Sequence, residues 1–343
     1  MFDDFYGNRA VTDALEQMIA RARIPQTLLV AGKEGVGKAT LARRFGARLL
    51  GSPEKIEQDD LSLARHAEYI LEREKLPSEK RAEDPLLFST HPDFVTFPPD
   101  GPLRQITIQQ MRLLKERAQF KPLRGDRRVF LVDHIDRANE QAANSLLKIL
   151  EEPPDHLILI LTAENPYDLL PTIRSRSIAL QLAPLTAQEL RQFITSRGLD
   201  RVERRIALAQ GSPGVAASID LEAYDRRRAA MVVLLQAAAG AAPFAQWVRF
   251  SERISSSKTE KLDFYLNVLY LLLEDMLVIR QDAGEMRNPD IRPELETLAR
   301  KVSFEWLRTA VKKVDELMDL LRRNIQKGIA LDALVVGLRE IAA

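Results

Sequence analysis

The run "TLLVAGKEGVGKAT" (residues 27–40) constrains this chain more than any other stretch. Gly32, Gly37 and Lys38 satisfy G-x-x-x-x-G-K directly after an apolar strand-like run. A helical pattern with Leu41, Phe45 and Leu49 on one face follows. Strand, glycine turn and helix in that order open a parallel sheet covered by helices. Gly32, Gly35 and Gly37, with Val36 among them, let loop amides curl around phosphate oxygens; the helix start adds a favourable dipole and Lys38 reaches the terminal phosphates. A glycine-rich turn without a ligand is the plainer alternative.

The next position departs from the pattern. The motif takes Ser or Thr there to ligate magnesium, and this chain has Ala39. Thr40 is one residue later, turned about 100° around the helix, so it does not substitute. Phosphate binding survives this change, whereas magnesium positioning is impaired.

Four further apolar runs continue the sheet: "DFVTF" (93–97), "RVFLVD" (128–133), "LILILT" (157–162) and "SIALQL" (177–182). Near-continuous apolar runs of this length suit strands buried on both faces. Between them, Thr107 with Gln110 predicts a capping box, and Ile108, Met111 and Leu114 share one helix face. Asn139 predicts an N-cap for "NEQAANSLLKILEE", which Pro153 and Pro154 end. The expected fold is α/β followed by all-α: a RecA-like sheet domain over 1–182, a small helical unit over 183–220 and a longer helical bundle over 221–343. Residues 53–84 interrupt the rhythm. Half of their 32 positions are charged, and they read as a solvated insertion with a helix inside.

With 45% apolar and 29% charged residues the chain is an ordinary globular protein, and its net charge of +1 gives no global field for nucleic acid. Absence of cysteine excludes disulfides, thiolate zinc sites and a cysteine nucleophile. The acidic start "MFDDFYGNRA" does not read as a signal peptide, and "YLNVLYLLLEDML" (265–277) is too short and interrupted to span a bilayer. These features point to a cytoplasmic location.

"RRVFLVDHIDRAN" supplies the other half of a nucleotide site. Asp133 ends the apolar run, placed to hold magnesium directly or through water. The residue after it is normally Glu in hydrolases of this type, orienting the attacking water. Here it is His134, either a base of different geometry or a polar strand-end residue. Two parts of a hydrolytic apparatus are therefore altered together.

"GKEGVGK", "HPDF" (91–94), "RRVFLVDHIDRANEQAANSLLKILEEPP" (127–154) and "ENPYDLLPTIRSRS" (164–177) resemble the clamp-loader branch of the AAA+ proteins, and within it the delta-prime subfamily of bacterial DNA polymerase III. The resemblance covers nearly all of the first 220 residues, more loosely the remainder. It implies a P-loop domain, a helical lid and a helical collar. It also implies a hetero-oligomeric ring with gamma/tau-like ATPase and delta-like subunits that loads a sliding clamp onto primed DNA. Ala39, His134 and Gly214 (in "GSPGVA", where hydrolysing subunits carry an arginine) set this chain apart from the motors. The implication is a subunit without ATPase activity of its own, with ATP bound weakly or without hydrolysis. Ser175, Arg176 and Ser177 match the family's Ser-Arg-Cys motif. Arg176 is thereby implied to be an arginine finger acting in trans on a neighbour's nucleotide; a surface loop arginine is the plainer reading. Many relatives have a four-cysteine zinc module where residues 53–84 lie. His66 and His91 lack the partners for such a site, so zinc is not expected.

Other features stay open at this level. The seven basic residues of 112–128 suit either DNA phosphates or a solvated face. Trp247 and Trp306 suit collar core or interface anchors, and Ile325, Ile329, Leu331, Leu334 and Leu338 suit packing within or between collar domains. Two competing functions carry weight beside the leading one: a gamma/tau-like hydrolysing motor, and a stand-alone AAA+ DNA-binding adaptor.

Overall fold

The computed structural model describes residue 2 and residues 4–257, 260–320 and 326–342. It falls into two compact units, Met1–Val202 with Ala209–Ala217, and Glu203–Leu208 with Ser218–Ala343.

The first unit is built on five parallel strands, β1 (Thr27–Ala31), β2 (Phe94–Phe97), β3 (Arg128–Val132), β4 (Leu157–Ala163) and β5 (Ile178–Gln181), in the order β2-β3-β4-β1-β5. Its helices are α1 (Arg9–Ala20), α2 (Lys38–Leu50), α3 (Pro53–Ile56), α4 (Ala64–Glu74), α5 (Ser78–Glu83), α6 (Ile108–Ala118), α7 (Glu140–Glu151) and α8 (Pro171–Ser175). After β5 come α9 (Ala187–Ser196), α10 (Val202–Ala209), most of which belongs to the second unit, and α11 (Pro213–Ser218).

Successive strand residues point to opposite faces. Leu28, Val30, Val129, Leu131, Ile158 and Ile160 therefore pack with Leu15, Leu41 and Phe45 of α1 and α2. Leu29, Phe130, Val132, Leu159 and Leu161 pack with Met111, Leu114, Leu146 and Ile149 of α6 and α7. Both faces are covered, which is why these strands are apolar throughout rather than alternating. Truncating Phe45, fully buried in the first of these layers, to Ala would cost about 3–5 kcal/mol. The expected caps form: Thr107 and Gln110 close a capping box on α6, and the Asn139 side chain accepts from Ala142 N at 2.8 Å on α7.

Residues 53–84 are less solvated than their charge suggests. Arg43 of α2 is buried, with Nη2 at 2.5 Å from Asp60 and Nε at 3.5 Å from Glu57. Buried Asp59 accepts from Thr90 N at 3.1 Å and Thr90 Oγ1 at 2.6 Å. Arg73 forms a two-point pair with Asp100, at 3.2 and 2.8 Å, with both side chains 3% exposed. Most charged side chains of this segment are exposed as expected, while a few, Asp59, Asp60 and Arg73, dock it onto the sheet unit through remote partners.

The second unit is helical: α12 (Leu221–Ala238), α13 (Phe244–Ser256), α14 (Leu262–Gln281), α15 (Arg292–Lys301), α16 (Phe304–Leu320) and α17 (Lys327–Ala342). Trp247 and Trp306 lie in its core, one of the two placements expected of them. Their indole N–H groups donate to Asp332 Oδ1 at 2.7 Å and Leu338 O at 2.8 Å, so burial leaves no indole donor unpaired. Leu331, Leu334 and Leu338 are buried as expected, whereas Ile329 is exposed and Ile325 lies outside the described residues. No described helix is long and apolar enough to cross a membrane.

Candidate functional site

The phosphate loop joins β1 to α2 with Gly32, Gly35 and Gly37 all at positive φ (150°, 73° and 101°). Side chains at these positions would also collide. A Cβ on Gly32 would lie 2.7 Å from Leu182 O, and one on Gly35 2.3 Å from Ser212 Oγ. Among the described residues the amides of Gly35 and Gly37 donate to nothing within the chain, so the cradle has the donors a phosphate needs. Val36 is buried beneath it.

Lys38 opens α2 and is buried, its Nζ donating to Gly32 O at 2.6 Å and Lys33 O at 2.9 Å. Burial lowers its pKa from the ordinary lysine value, against the opposing charges of Glu164, Asp133, Asp136 and Glu34. Ala39 packs against the apolar layer of α1, α2 and the sheet. Thr40 Oγ1 lies 3.5 Å from Arg43 Nη2, a group already paired with the inserted segment.

Asp133, just past β3, accepts at Oδ1 from Thr162 Oγ1 at 2.6 Å, and the same hydroxyl accepts from His134 N at 2.8 Å. Thr162 thus orients both residues. Composition gave it a signal, since it is the single polar residue near the end of an apolar strand. His134 adopts left-handed backbone, φ 54° and ψ 57°, uncommon for a side chain with a Cβ. Its Nδ1 lies 3.9 Å from Asp136 Oδ1, too far for a hydrogen bond; both atoms are buried and neither has a hydrogen-bond partner among the described residues. A cavity of about 300 Å³ adjoins this end, lined by Glu34, Asp133, His134 and Arg137 on one side and by Leu61, Ile70 and Leu71 of the inserted segment on the other. Among the described residues no group of three or more His, Cys, Asp or Glu side chains is placed to hold a metal.

A second contact on the loop comes from residues 211–215. Gly214 N donates to Gly35 O at 2.8 Å, and Ser212 Oγ donates to Glu34 O at 2.9 Å. A Cβ on Gly214 would lie 2.8 Å from Gly35 O and 2.9 Å from Gly35 Cα. This position therefore has no room for any side chain, a stronger statement than the absence of an arginine. From the other side, Phe5 packs on Gly37, where an added Cβ would meet its ring at 3.0 Å. Residue spacing announces neither contact.

Arg176 stands apart from these groups, at the C-cap of α8 ahead of edge strand β5. Its Nη1 donates to Thr172 O at 3.2 Å and its Nη2 to Glu151 Oε1 at 3.1 Å; its side chain is 36% exposed. The Arg174 guanidinium stacks 5.1 Å from the Tyr167 ring centroid. In the basic stretch 112–128, Arg128 is a buried strut, donating to Arg117 O at 2.7 Å, Phe120 O and Pro92 O. Buried Asp93 receives Leu123 N and Arg124 N at 2.8 and 2.7 Å, so the loop is held while Phe120 and Leu123 remain exposed.

Comparison with known proteins adds a separate line of findings. A family profile described as DNA polymerase III, delta subunit, matches residues 7–186, and one described as DNA polymerase III, delta subunit, C terminal, matches 234–338. The Bacillus subtilis DNA polymerase III subunit delta′ is 27% identical, over 96% of this chain and 95% of its own length. The Pseudomonas aeruginosa subunit delta′ is 30% identical over 67% of each chain. A gamma/tau subunit from Mycobacterium bovis is 29% identical over 51% of this chain and 27% of its own.

Proposed function

The chain belongs to the DNA polymerase III delta-subunit family as a delta-prime-like clamp-loader subunit, and we propose that it is a non-hydrolysing member whose Arg176 completes the nucleotide site of a gamma/tau-type neighbour. On this reading residues 183–220 are the lid, residues 221–343 the collar, and delta- and gamma/tau-type subunits its ring partners, acting in the cytoplasm on a sliding clamp and primed DNA.

One observation carries the proposal: the phosphate loop is engaged by its own chain. Lys38 is bonded to Gly32 and Lys33 carbonyls, and Gly214 is packed on Gly35 with no space for a lid cation. The residues present fit a phosphate group, through the amides of Gly35 and Gly37 and through Lys38. They do not supply the motif's magnesium ligand, because position 39 offers a methyl where the hydroxyl belongs, although Asp133 keeps one oxygen beside its bond from Thr162. His134 faces Asp136 rather than standing in for the glutamate that orients water. Nucleotide binding is accordingly weak and indifferent to magnesium, and no water is positioned for attack. Arg176 differs in being exposed, permanently charged and forked, the form that phosphate recognition favours.

The purified protein should hydrolyse ATP negligibly, and calorimetric titration should give the same weak affinity with and without magnesium. Turnover typical of AAA+ motors that Lys38→Ala abolishes would overturn the non-hydrolysing assignment. In a loader reconstituted with gamma/tau- and delta-type subunits, Arg176→Ala should assemble normally and lower ATP turnover sharply, with Arg174→Ala as control. Fingers of this kind are worth on the order of 10³–10⁵ at a single site, and the loader's other sites dilute that loss in the total. Unchanged turnover in an assembled Arg176→Ala complex would remove the finger.

A further inference from the structure

Helix α7 ends on Glu151 and Glu152, and Pro153–Pro154 fixes where it stops. Two carboxylates at this end oppose the helix dipole, whose C-terminus already carries partial negative charge. A feature that violates a local rule calls for a compensating role. Glu152 has no side-chain partner among the described residues. Glu151 has one: its Oε1 receives Arg176 Nη2 at 3.1 Å.

The geometry at Arg176 gives that contact a purpose. Guanidinium carries five N–H donors in a rigid plane on a long flexible stem. Two of them are occupied, one on each terminal nitrogen, by Thr172 O and by Glu151. Two anchors on different nitrogens fix the plane as well as the reach of the group. Nε–H and one N–H on each terminal nitrogen make no other bond among the described residues. Two of the five N–H groups are held and three are presented, on a side chain that remains 36% exposed. Thr172 lies four residues away on the same short helix, so its carbonyl holds Arg176 locally. Glu151, 25 residues away on α7, ties the guanidinium to the framework of the sheet unit.

We propose that Glu151 is a positioning residue that pre-orients Arg176 toward the phosphate oxygens of a nucleotide bound by the adjacent subunit. This rests on the reading of Arg176 as a finger. Its contribution is preorganisation: with Glu151 in place the long side chain is already ordered when the transition state forms, and without it that ordering is incurred during turnover. Glu151 itself touches no nucleotide.

The test uses the reconstituted loader with DNA and clamp present, and compares Glu151→Ala, Glu151→Gln, Glu152→Ala, Arg176→Ala and the double variant Glu151→Ala with Arg176→Ala. Glu151→Ala should lower kcat about threefold to tenfold, the range that freeing one long side chain allows, with KM for ATP and assembly unchanged. Glu151→Gln keeps a carbonyl acceptor in the same place and should recover most of the loss. Glu152→Ala should match the wild type. In the Arg176→Ala background the Glu151→Ala change should add nothing, since there is no fork left to orient. Wild-type kcat in Glu151→Ala, with Arg176→Ala still defective, overturns the positioning role and leaves the finger standing. A further fall in the double variant also overturns it, because Glu151 would then act elsewhere. No effect of Arg176→Ala by itself removes the finger beneath it.

Discussion

Gly214→Ala is the smallest change that tests whether residues 211–215 hold the phosphate loop. The added methyl would lie 2.8 Å from Gly35 O, 2.9 Å from Gly35 Cα and 3.3 Å from Gly35 C. All three are backbone atoms, so no side chain can swing aside. Two responses are open to the protein. It keeps the contact under strain, for which overpacking typically costs about 1–3 kcal/mol. Or the segment lifts, forfeiting the Gly214 N to Gly35 O and Ser212 Oγ to Glu34 O bonds at about 0.5–1.5 kcal/mol each. The cheaper route sets the outcome, and both routes centre on about 2 kcal/mol. In a unit of roughly two hundred residues that lowers Tm by about 4–8 °C.

The two routes separate in hydrogen exchange. Lifting should speed exchange of the amide at position 214 about thirtyfold for a loss of about 2 kcal/mol, with amides of β3 and β4 unaffected. It should also raise nucleotide affinity, by freeing the loop. If Gly214 mattered only as a missing arginine, Ala would behave as Gly does. A variant with wild-type Tm, exchange and nucleotide affinity would refute the docked loop, and with it the steric account of why this position carries no side chain. Gly214→Arg should be more disruptive than Ala, because a longer side chain meets the same Gly35 backbone.

Two other outcomes follow from the buried ionisable groups. Asp100→Ala removes the buried partner of Arg73 and leaves it only Asp84 O and the exposed Asp84 carboxylate, so it should cost about 1.5–3 kcal/mol while making residues 53–84 preferentially sensitive to limited proteolysis; wild-type stability and cleavage would mean the pair does not anchor the segment. His91 is fully buried, accepts from Asp93 N at 3.1 Å through Nδ1, and has its pKa lowered from 6.5 by burial. Its folded form refuses a proton that the unfolded chain takes up, so its contribution to stability is lost as pH falls below about 6.5, by up to about 1.4 kcal/mol per unit. His91→Asn, which retains an acceptor, should flatten denaturation midpoints measured between pH 8 and 5 relative to wild type, and parallel curves would contradict this.

The sheet was legible because β1 to β4 are buried on both faces, which leaves an unbroken apolar run as their trace, whereas edge strand β5 is exposed except at Leu180. "LILILT" and "RVFLVD" needed only their length and branching to be read, and the caps at Thr107 and Asn139 are local patterns within three residues. The solvated reading of the inserted segment holds for most of its charges and fails at Asp59 and Arg73, for the opposite reason. A count of charges cannot distinguish a solvated ion from a paired one, and Arg73 finds Asp100 27 residues away. Thr162, Ser212, Phe5 and Glu151 were missed because their importance lies in what they touch across the fold. Ile329 kept helical spacing yet is exposed; periodicity selects a face without saying whether anything covers it. Gly214 was noticed as an absence, whereas the atoms around it explain that absence by space.

The departures from a hydrolysing site are also tied to one another by packing. Ala39→Ser places a hydroxyl against an apolar layer that now accommodates a methyl. His134→Glu brings a third carboxylate close to Asp133 and Asp136, on left-handed backbone, where like charges raise its pKa away from the ionised form a base requires. Gly214→Arg cannot be seated while Gly214 N stays bonded to Gly35 O. Each reversion alone therefore loses stability without recovering the step it was meant to restore, since magnesium, water and lid cation must all be in place before any one of them accelerates the reaction. Among the described residues no hydrogen bond or ion pair couples these positions to Arg176, which precedes the N-terminal end of β5 while the phosphate loop follows the C-terminal end of the parallel β1, and which has its own anchors on α7 and α8. On the proposed reading the loop is free to serve as a fixed structural joint, because the cation that matters is directed outward.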